Sequence, residues 1–155
     1  MHTKIANLLL GLASAAMILF GASLPFMGTF MMSCIALAAG DYGDKDVAAG
    51  SYALFFLFIA LVLIALASLV VSIISFATSK NARNSVYTGV QIGTIITDVI
   101  CHIASLAGII TIGNFMRFDS DYLAMTVPNI LGILFCIGWI VCTVINSVSS
   151  KKEAA

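Results

Sequence analysis

Asp98 and His102 are the two residues of this chain whose types and spacing could do chemistry within an apolar segment. They are four residues apart, so on a helix their side chains share one face and could touch. An ionised aspartate near the middle of a membrane costs about 2.5 to 3.5 kcal/mol on insertion scales, which makes it a functional candidate by default. An interacting aspartate and histidine could titrate in the physiological range, as a proton relay requires.

A structural role for the same two residues is the alternative. They could hold helices together by hydrogen bonds to a backbone carbonyl or to the intramembrane amide side chains Gln91, Asn129 and Asn146. A contact with a ligand or partner is a third interpretation. Sequence periodicity alone does not separate these three.

Other chemistry has little support in the sequence. The apolar segments contain no second histidine or carboxylate at a recognised metal-ligand spacing, and the four cysteines form no CxxC pair. Nucleophile elbows, Walker loops and HExxH motifs are missing. We therefore predict no metal, no cofactor and no enzymatic activity.

The elements that position these residues are long apolar segments. Hydrophobic residues make up 61% of the 155 residues and charged residues only 9%, whereas about a quarter of a soluble domain is charged. Residues 5–39, 47–79 and 122–150 carry no charge, and 86–112 carry only Asp98. About 20 apolar residues are enough for a helix to cross the hydrocarbon core. We predict one all-α integral membrane domain over 1–155, an antiparallel four-helix transmembrane bundle with helices near 5–25, 52–77, 88–112 and 127–148.

The first segment is too long for a single crossing, because 35 helical residues would span about 52 Å against roughly 30 Å of hydrocarbon. Pro25 lacks an amide donor and predicts a kink or stop. We favour a bent helix with an outer extension to residue 39, followed by a turn over 40–44.

The basic residues predict the orientation. Lys4, Lys80, Arg83, Lys151 and Lys152 fall on one side of an even number of crossings, and the other side has only Lys45 and Arg117 among five aspartates. The positive-inside bias makes the richer side the cytoplasm, so both termini should be cytoplasmic. We expect a plasma membrane rather than an internal one, although no residue separates bacterial from eukaryotic membranes. The sequence has no basic patch with aromatic stacking partners, so it does not indicate nucleic-acid binding.

Small and polar residues recur at helical spacing in each segment and predict the inward faces. These stripes are Asn7, Gly11, Ser14 and Gly21; Ser68, Ser72 and Ser75; Gln91, Thr94, Asp98, His102 and Ser105; and Asn129, Gly132, Cys136, Thr143 and Asn146. We expect Gly11, Ser14 and Gly132 to pack helices together. Gly89 and Gly93 could do so within the bundle or between protomers.

The predicted topology resembles that of small tetraspan proteins, a class defined by four crossings rather than by a motif. The chain lacks the cysteine signatures of claudins and tetraspanins, and its first helix lacks the acidic residue of small multidrug transporters. Our first hypothesis is a non-enzymatic accessory subunit, scaffold or oligomeric membrane organiser, with the bilayer and a second copy or membrane protein as partners. The alternative is a small proton- or cation-coupled transporter or channel that uses Asp98 and His102.

Overall fold

Four long helices make up the protein. The computed structural model describes residues 2–39, 45–79, 84–116 and 121–153. The helices are α1 (His2–Ala39), α2 (Lys45–Thr78), α3 (Asn84–Met116) and α4 (Asp121–Glu153), and the residues described contain no strand. The prediction of four long apolar helices is confirmed.

Each helix is longer than its predicted span. A helix of 33 residues, such as α3 or α4, extends about 50 Å. The predicted spans match the hydrocarbon thickness, but the backbone hydrogen bonds of a helix continue into the polar residues on either side. α1 runs through Pro25 without ending there. The predicted turn over 40–44 lies outside the described residues.

All four helices are long and apolar enough to cross a membrane, judged by length and composition. The candidate spans are Thr3–Ile35, Ala49–Thr78, Ser85–Gly113 and Ala124–Ser149. Large aliphatic side chains cover the outer surface, as Ile92, Ile96 and Ile100 do on α3, while small and polar residues are buried. This arrangement indicates a multi-pass integral membrane protein, because lipid gives no reward for burying aliphatic side chains.

α1 and α3 form the central pair of the bundle. α1 packs against the other three helices, α3 packs against α1, α2 and α4, and α2 and α4 do not meet within the described residues. At one end, Lys4 Nζ donates to the carbonyl oxygen of Ser79 at 2.7 Å and lies 5.3 Å from the centre of the Tyr87 ring. The Lys4 side chain thus supplies a donor and a positive charge at the carboxyl end of α2, where helices favour both.

The interior changes character along its length. On the Lys4 side of the centre the buried residues include Asn7, Ser72, Ser75, Gln91 and Thr143. On the other side an apolar cluster fills the space between α1, α2 and α3. Its buried members are Ile18, Ala22, Phe58, Leu61, Ala65, Cys101, Ile109 and Ile112. We call these regions the polar half and the apolar cluster.

Candidate functional site

The candidate site lies where the polar half meets the apolar cluster. Ser14 of α1, Asp98 and His102 of α3, and Asn129 and Cys136 of α4 are all fully buried there. Asp98 and Cys136 stand near the middle of the apolar spans 85–113 and 124–149. Neither Asp98 nor His102 therefore has a route to a membrane face by extending its side chain.

Ser14 is the residue that connects the site. Its hydroxyl donates to Asp98 Oδ2 at 2.8 Å, lies 3.4 Å from His102 Nε2 and lies 3.2 Å from Cys136 Sγ. No hydrogen bond joins Asp98 to His102 directly. The four-residue spacing does bring both side chains to the interior, but α1 supplies the group between them.

Asn129 fixes the other side of the imidazole. Its Nδ2 donates to the Met125 carbonyl oxygen at 3.1 Å, which leaves Oδ1 facing His102 Nδ1, also at 3.1 Å. An amide oxygen only accepts hydrogen bonds, so Nδ1 of His102 must carry the proton in this contact. In the neutral imidazole Nε2 is then an acceptor, and it is the atom that faces Ser14.

Two glycines make room for these side chains. A Cβ placed on Gly132 of α4 would overlap the imidazole ring of His102, and one placed on Gly21 of α1 would overlap the amide of Asn129. Gly11 of α1 likewise makes room for the indole ring of Trp139, because a Cβ at Gly11 would lie 2.8 Å from Trp139 Cη2. Glycine at these positions permits the close approach of helices that places the polar groups together.

Asp98 Oδ1 and Ser68 Oγ of α2 have no hydrogen bond within the usual limits of distance and angle. The Ser68 hydroxyl nevertheless interacts with the Asp98 carboxyl group, so all four helices reach the site. Buried polar atoms in proteins are almost always hydrogen-bonded, and those that are not call for an explanation.

Gln91 and Asn146, two further candidates from the sequence, bond elsewhere. Gln91 Nε2 donates to Ser75 Oγ at 2.9 Å, and Gln91 Oε1 accepts from Trp139 Nε1 at 2.6 Å. Asn146 Oδ1 accepts from Thr3 Oγ1 at 3.0 Å near the end of the bundle. Of the three amides considered from the sequence, Asn129 is the one that contacts His102.

Gly89 and Gly93 lie on the outer surface of α3. A Cβ added to either would meet no atom within 4 Å. The two glycines therefore pack no helix within the described part of the chain, and a contact between protomers stays a prediction. A groove of about 370 Å³ runs beside them between α3 and α4, lined by residues that include Thr88, Ile92 and Val144.

The roles of Ser14 and Trp139 were missed by reasoning from sequence. Ser14 was placed among the packing residues, and nothing in its spacing reveals a hydrogen bond to another helix. Trp139 lies well inside α4, where it is fully buried and donates to Gln91 Oε1, a partner that its position in the sequence does not indicate. Among the described residues, no three metal-binding side chains come together.

The comparisons with known proteins identify no relative of this chain. A scan against protein-family models, a search of curated proteins and a search of solved structures each find no significant match.

Proposed function

We propose that the protein moves protons, or a small cation exchanged for protons, across the membrane through Asp98 and His102. The observation that carries the proposal is Asp98 itself, an ionisable side chain that is fully buried mid-span between the hydroxyl groups of Ser14 and Ser68. An ionised aspartate at this depth costs about 2.5 to 3.5 kcal/mol on insertion scales. Intramembrane ionisable residues that face a bundle interior mark proton and ion pathways.

The proposal includes the arrangement of the chain in the membrane. We place the four helices antiparallel, with both termini in the cytoplasm of a plasma membrane and no enzymatic activity. The contact between Lys4, near the start of α1, and Ser79, after the end of α2, supports the antiparallel order of that pair. The distribution of basic residues supports the orientation.

Flux measurements in proteoliposomes test this function. A pH gradient imposed over about pH 5 to 8, where histidine titrates, should collapse faster with the native chain than in protein-free vesicles. Repeating the measurement with Na⁺ or K⁺ gradients separates proton movement from cation exchange. Asp98→Asn should reduce the flux to the protein-free rate, because the amide keeps the shape of the side chain but cannot bind and release a proton.

Thr97→Val is the matched control. Thr97 neighbours Asp98 but is exposed on the lipid-facing surface, and its hydroxyl bonds only to the Gly93 carbonyl of its own helix. This variant should keep the native flux. An absence of flux in the native protein, or equal flux with Asp98→Asn, would overturn the proposed function.

A second candidate function is that of a non-enzymatic accessory subunit, scaffold or oligomeric organiser. The open surface around Gly89 and Gly93 favours it, with a second copy of this chain as the partner. Two glycines four residues apart let helix backbones approach closely in a membrane. The two functions are compatible, because the glycine surface and the buried site lie on different faces of α3.

A further inference from the structure

We infer that Ser14 is a shared hydroxyl through which one proton passes between Asp98 and His102. The inference deepens the proposed function by naming the proton as the transferred species and Ser14 as the connecting group. It rests on geometry contributed by three helices: a hydroxyl of α1 lies between a carboxyl group and an imidazole of α3, and the imidazole is held by an amide of α4.

The hydroxyl can serve both neighbours, but only one at a time as donor. Ser14 has a single hydrogen and two acceptor lone pairs. When Asp98 is ionised, Ser14 donates to Oδ2, which is the contact at 2.8 Å. When Asp98 carries a proton, Ser14 accepts from Oδ2 and its own hydrogen is free to turn toward Nε2 of His102.

The transfer step balances with these three groups alone. The O–H bond of protonated Asp98 breaks as its proton bonds to Ser14 Oγ, while the original Ser14 O–H bond breaks and that proton bonds to Nε2. The products are an Asp98 carboxylate, an intact Ser14 hydroxyl and a His102 imidazolium. Ser14 Oγ and Nε2 stand 3.4 Å apart, so the ring must approach by a few tenths of an ångström to reach the usual range.

Asn129 prepares His102 for this role. Its Oδ1 accepts from Nδ1 in both charge states of the imidazole, which keeps Nε2 as the atom that gains and loses a proton. Met125 holds the amide in that orientation through its carbonyl oxygen. Gly132 leaves the space that the ring occupies.

The other groups around Ser14 do not bridge the two bases. The other described side chains that interact with the site are Ser68 from α2, Cys101 from α3 and Cys136 from α4. Cys101 and Cys136 are the other titratable groups. The Cys136 thiol contacts Ser14 at 3.2 Å but forms no hydrogen bond to Asp98 or His102, so it does not connect the two bases.

The first test reads the imidazole tautomer directly. The full chain with His2→Gln retains His102 as its single histidine, and ¹⁵N NMR in lipid bilayers then reports on that ring alone. The neutral ring should carry its proton on Nδ1 and none on Nε2. A proton on Nε2 would overturn the inference, because Nε2 could not then accept from Ser14.

The second test measures whether Ser14 couples the two bases. Asp98→Asn should change the titration midpoint of His102 in the native background. With Ser14→Ala, the same Asp98→Asn substitution should produce a smaller change, because only the direct charge interaction of Asp98 with His102 remains, whereas Ser14→Thr and Thr97→Val should preserve the native response. A coupling that is undiminished in Ser14→Ala would overturn the inference.

The two proposals fail in different ways. A native Nδ1–H tautomer with Ser14-dependent coupling but no proteoliposome flux would overturn the transport function and leave the relay standing. Flux without Ser14-dependent coupling would overturn the relay and leave transport standing. If Ser14→Ala does not fold, the tautomer of the native ring still decides the inference.

Discussion

Gly132 is the position at which a single methyl group should disturb the site most. Its Cβ would overlap the imidazole of His102, which is itself fully buried and bonded to Asn129. Overpacking of this kind costs about 1 to 3 kcal/mol. We expect Gly132→Ala to lower the free energy of unfolding by that amount in mixed-micelle denaturation, and to change the ¹⁵N shifts of His102.

Gly138→Ala is the control for this substitution. Gly138 is six residues further along α4, and its Cβ would lie 3.6 Å from Leu10 Cδ2, an ordinary contact with a flexible side chain. Alanine is favoured over glycine inside a helix by roughly 0.5 to 1 kcal/mol, so this variant should be at least as stable as the native chain. Equal stability of the two variants would show that the Gly132 backbone does not closely approach His102.

At the same scale, the sequence predicts which residues are buried better than it predicts their partners. The spacing of Asp98 and His102 is enough to put both on one helix face, because helical periodicity is local. Their connection through Ser14 depends on how far α1 is shifted along α3, which no spacing within one segment specifies. For the same reason, spacing within α3 does not predict that Gln91 bonds to Trp139 of α4 rather than to the site.

Among the elements, α3 presents two different faces. One carries Asp98 and His102 inward, while Gly89 and Gly93 are exposed toward lipid. We expect Gly89→Leu with Gly93→Leu to raise the dissociation constant of a dimer by at least tenfold, about 1.4 kcal/mol. A Cβ added at either position meets no atom of its own bundle within 4 Å, so we attribute the expected loss to the contact between copies.

Energy transfer between labelled copies at increasing lipid dilution measures this equilibrium. Ala60→Leu is the matched control, since Ala60 is exposed on α2 rather than on the glycine face of α3, and it should leave association unchanged. A native chain that stays monomeric at high protein density, or a double variant that associates normally, would contradict the prediction and remove the support for an oligomeric organiser.

The helices themselves were predictable because their signal is compositional. Long uncharged runs indicate membrane-spanning helices without reference to the rest of the chain. The ends of the helices were not predictable, because α2 (Lys45–Thr78) and α3 (Asn84–Met116) continue through polar residues. A hydropathy criterion excludes such residues from a predicted span. Of the two alternatives at Pro25, a kink or a stop, the structure excludes the stop and has the favoured helical extension: α1 continues to Ala39, and Thr29 Oγ1 donates to the Pro25 carbonyl oxygen at 2.9 Å.

The whole molecule is asymmetric across the membrane, in its interior as well as in its charges. The larger apolar cluster occupies the half away from Lys4, where Thr29 and Ser33 bond to the backbone of their own helix. The Lys4 half instead contains hydrogen bonds between helices, such as that of Gln91 with Ser75. If the Lys4 side is cytoplasmic and Asp98 carries protons as proposed, we expect it to exchange them with the cytoplasm more readily than with the outside. The direction from which protons reach Asp98 therefore depends on the orientation of the bundle in the membrane.

Single cysteines test that orientation in a chain whose four native cysteines are replaced by alanine. Ala38, Ala49, Ser85 and Ser149 are exposed and lie near helix ends. A membrane-impermeant maleimide should label Ala38→Cys and Ala49→Cys on intact cells, because the aspartate-rich segment 41–46 follows the positive-inside bias to the outer face. Ser85→Cys and Ser149→Cys, beside the basic segments, should react only after permeabilisation. The opposite pattern would place the polar half outside and reverse the expected direction of proton access, whereas labelling of Ala38→Cys and Ser85→Cys from the same side would contradict the four-crossing topology.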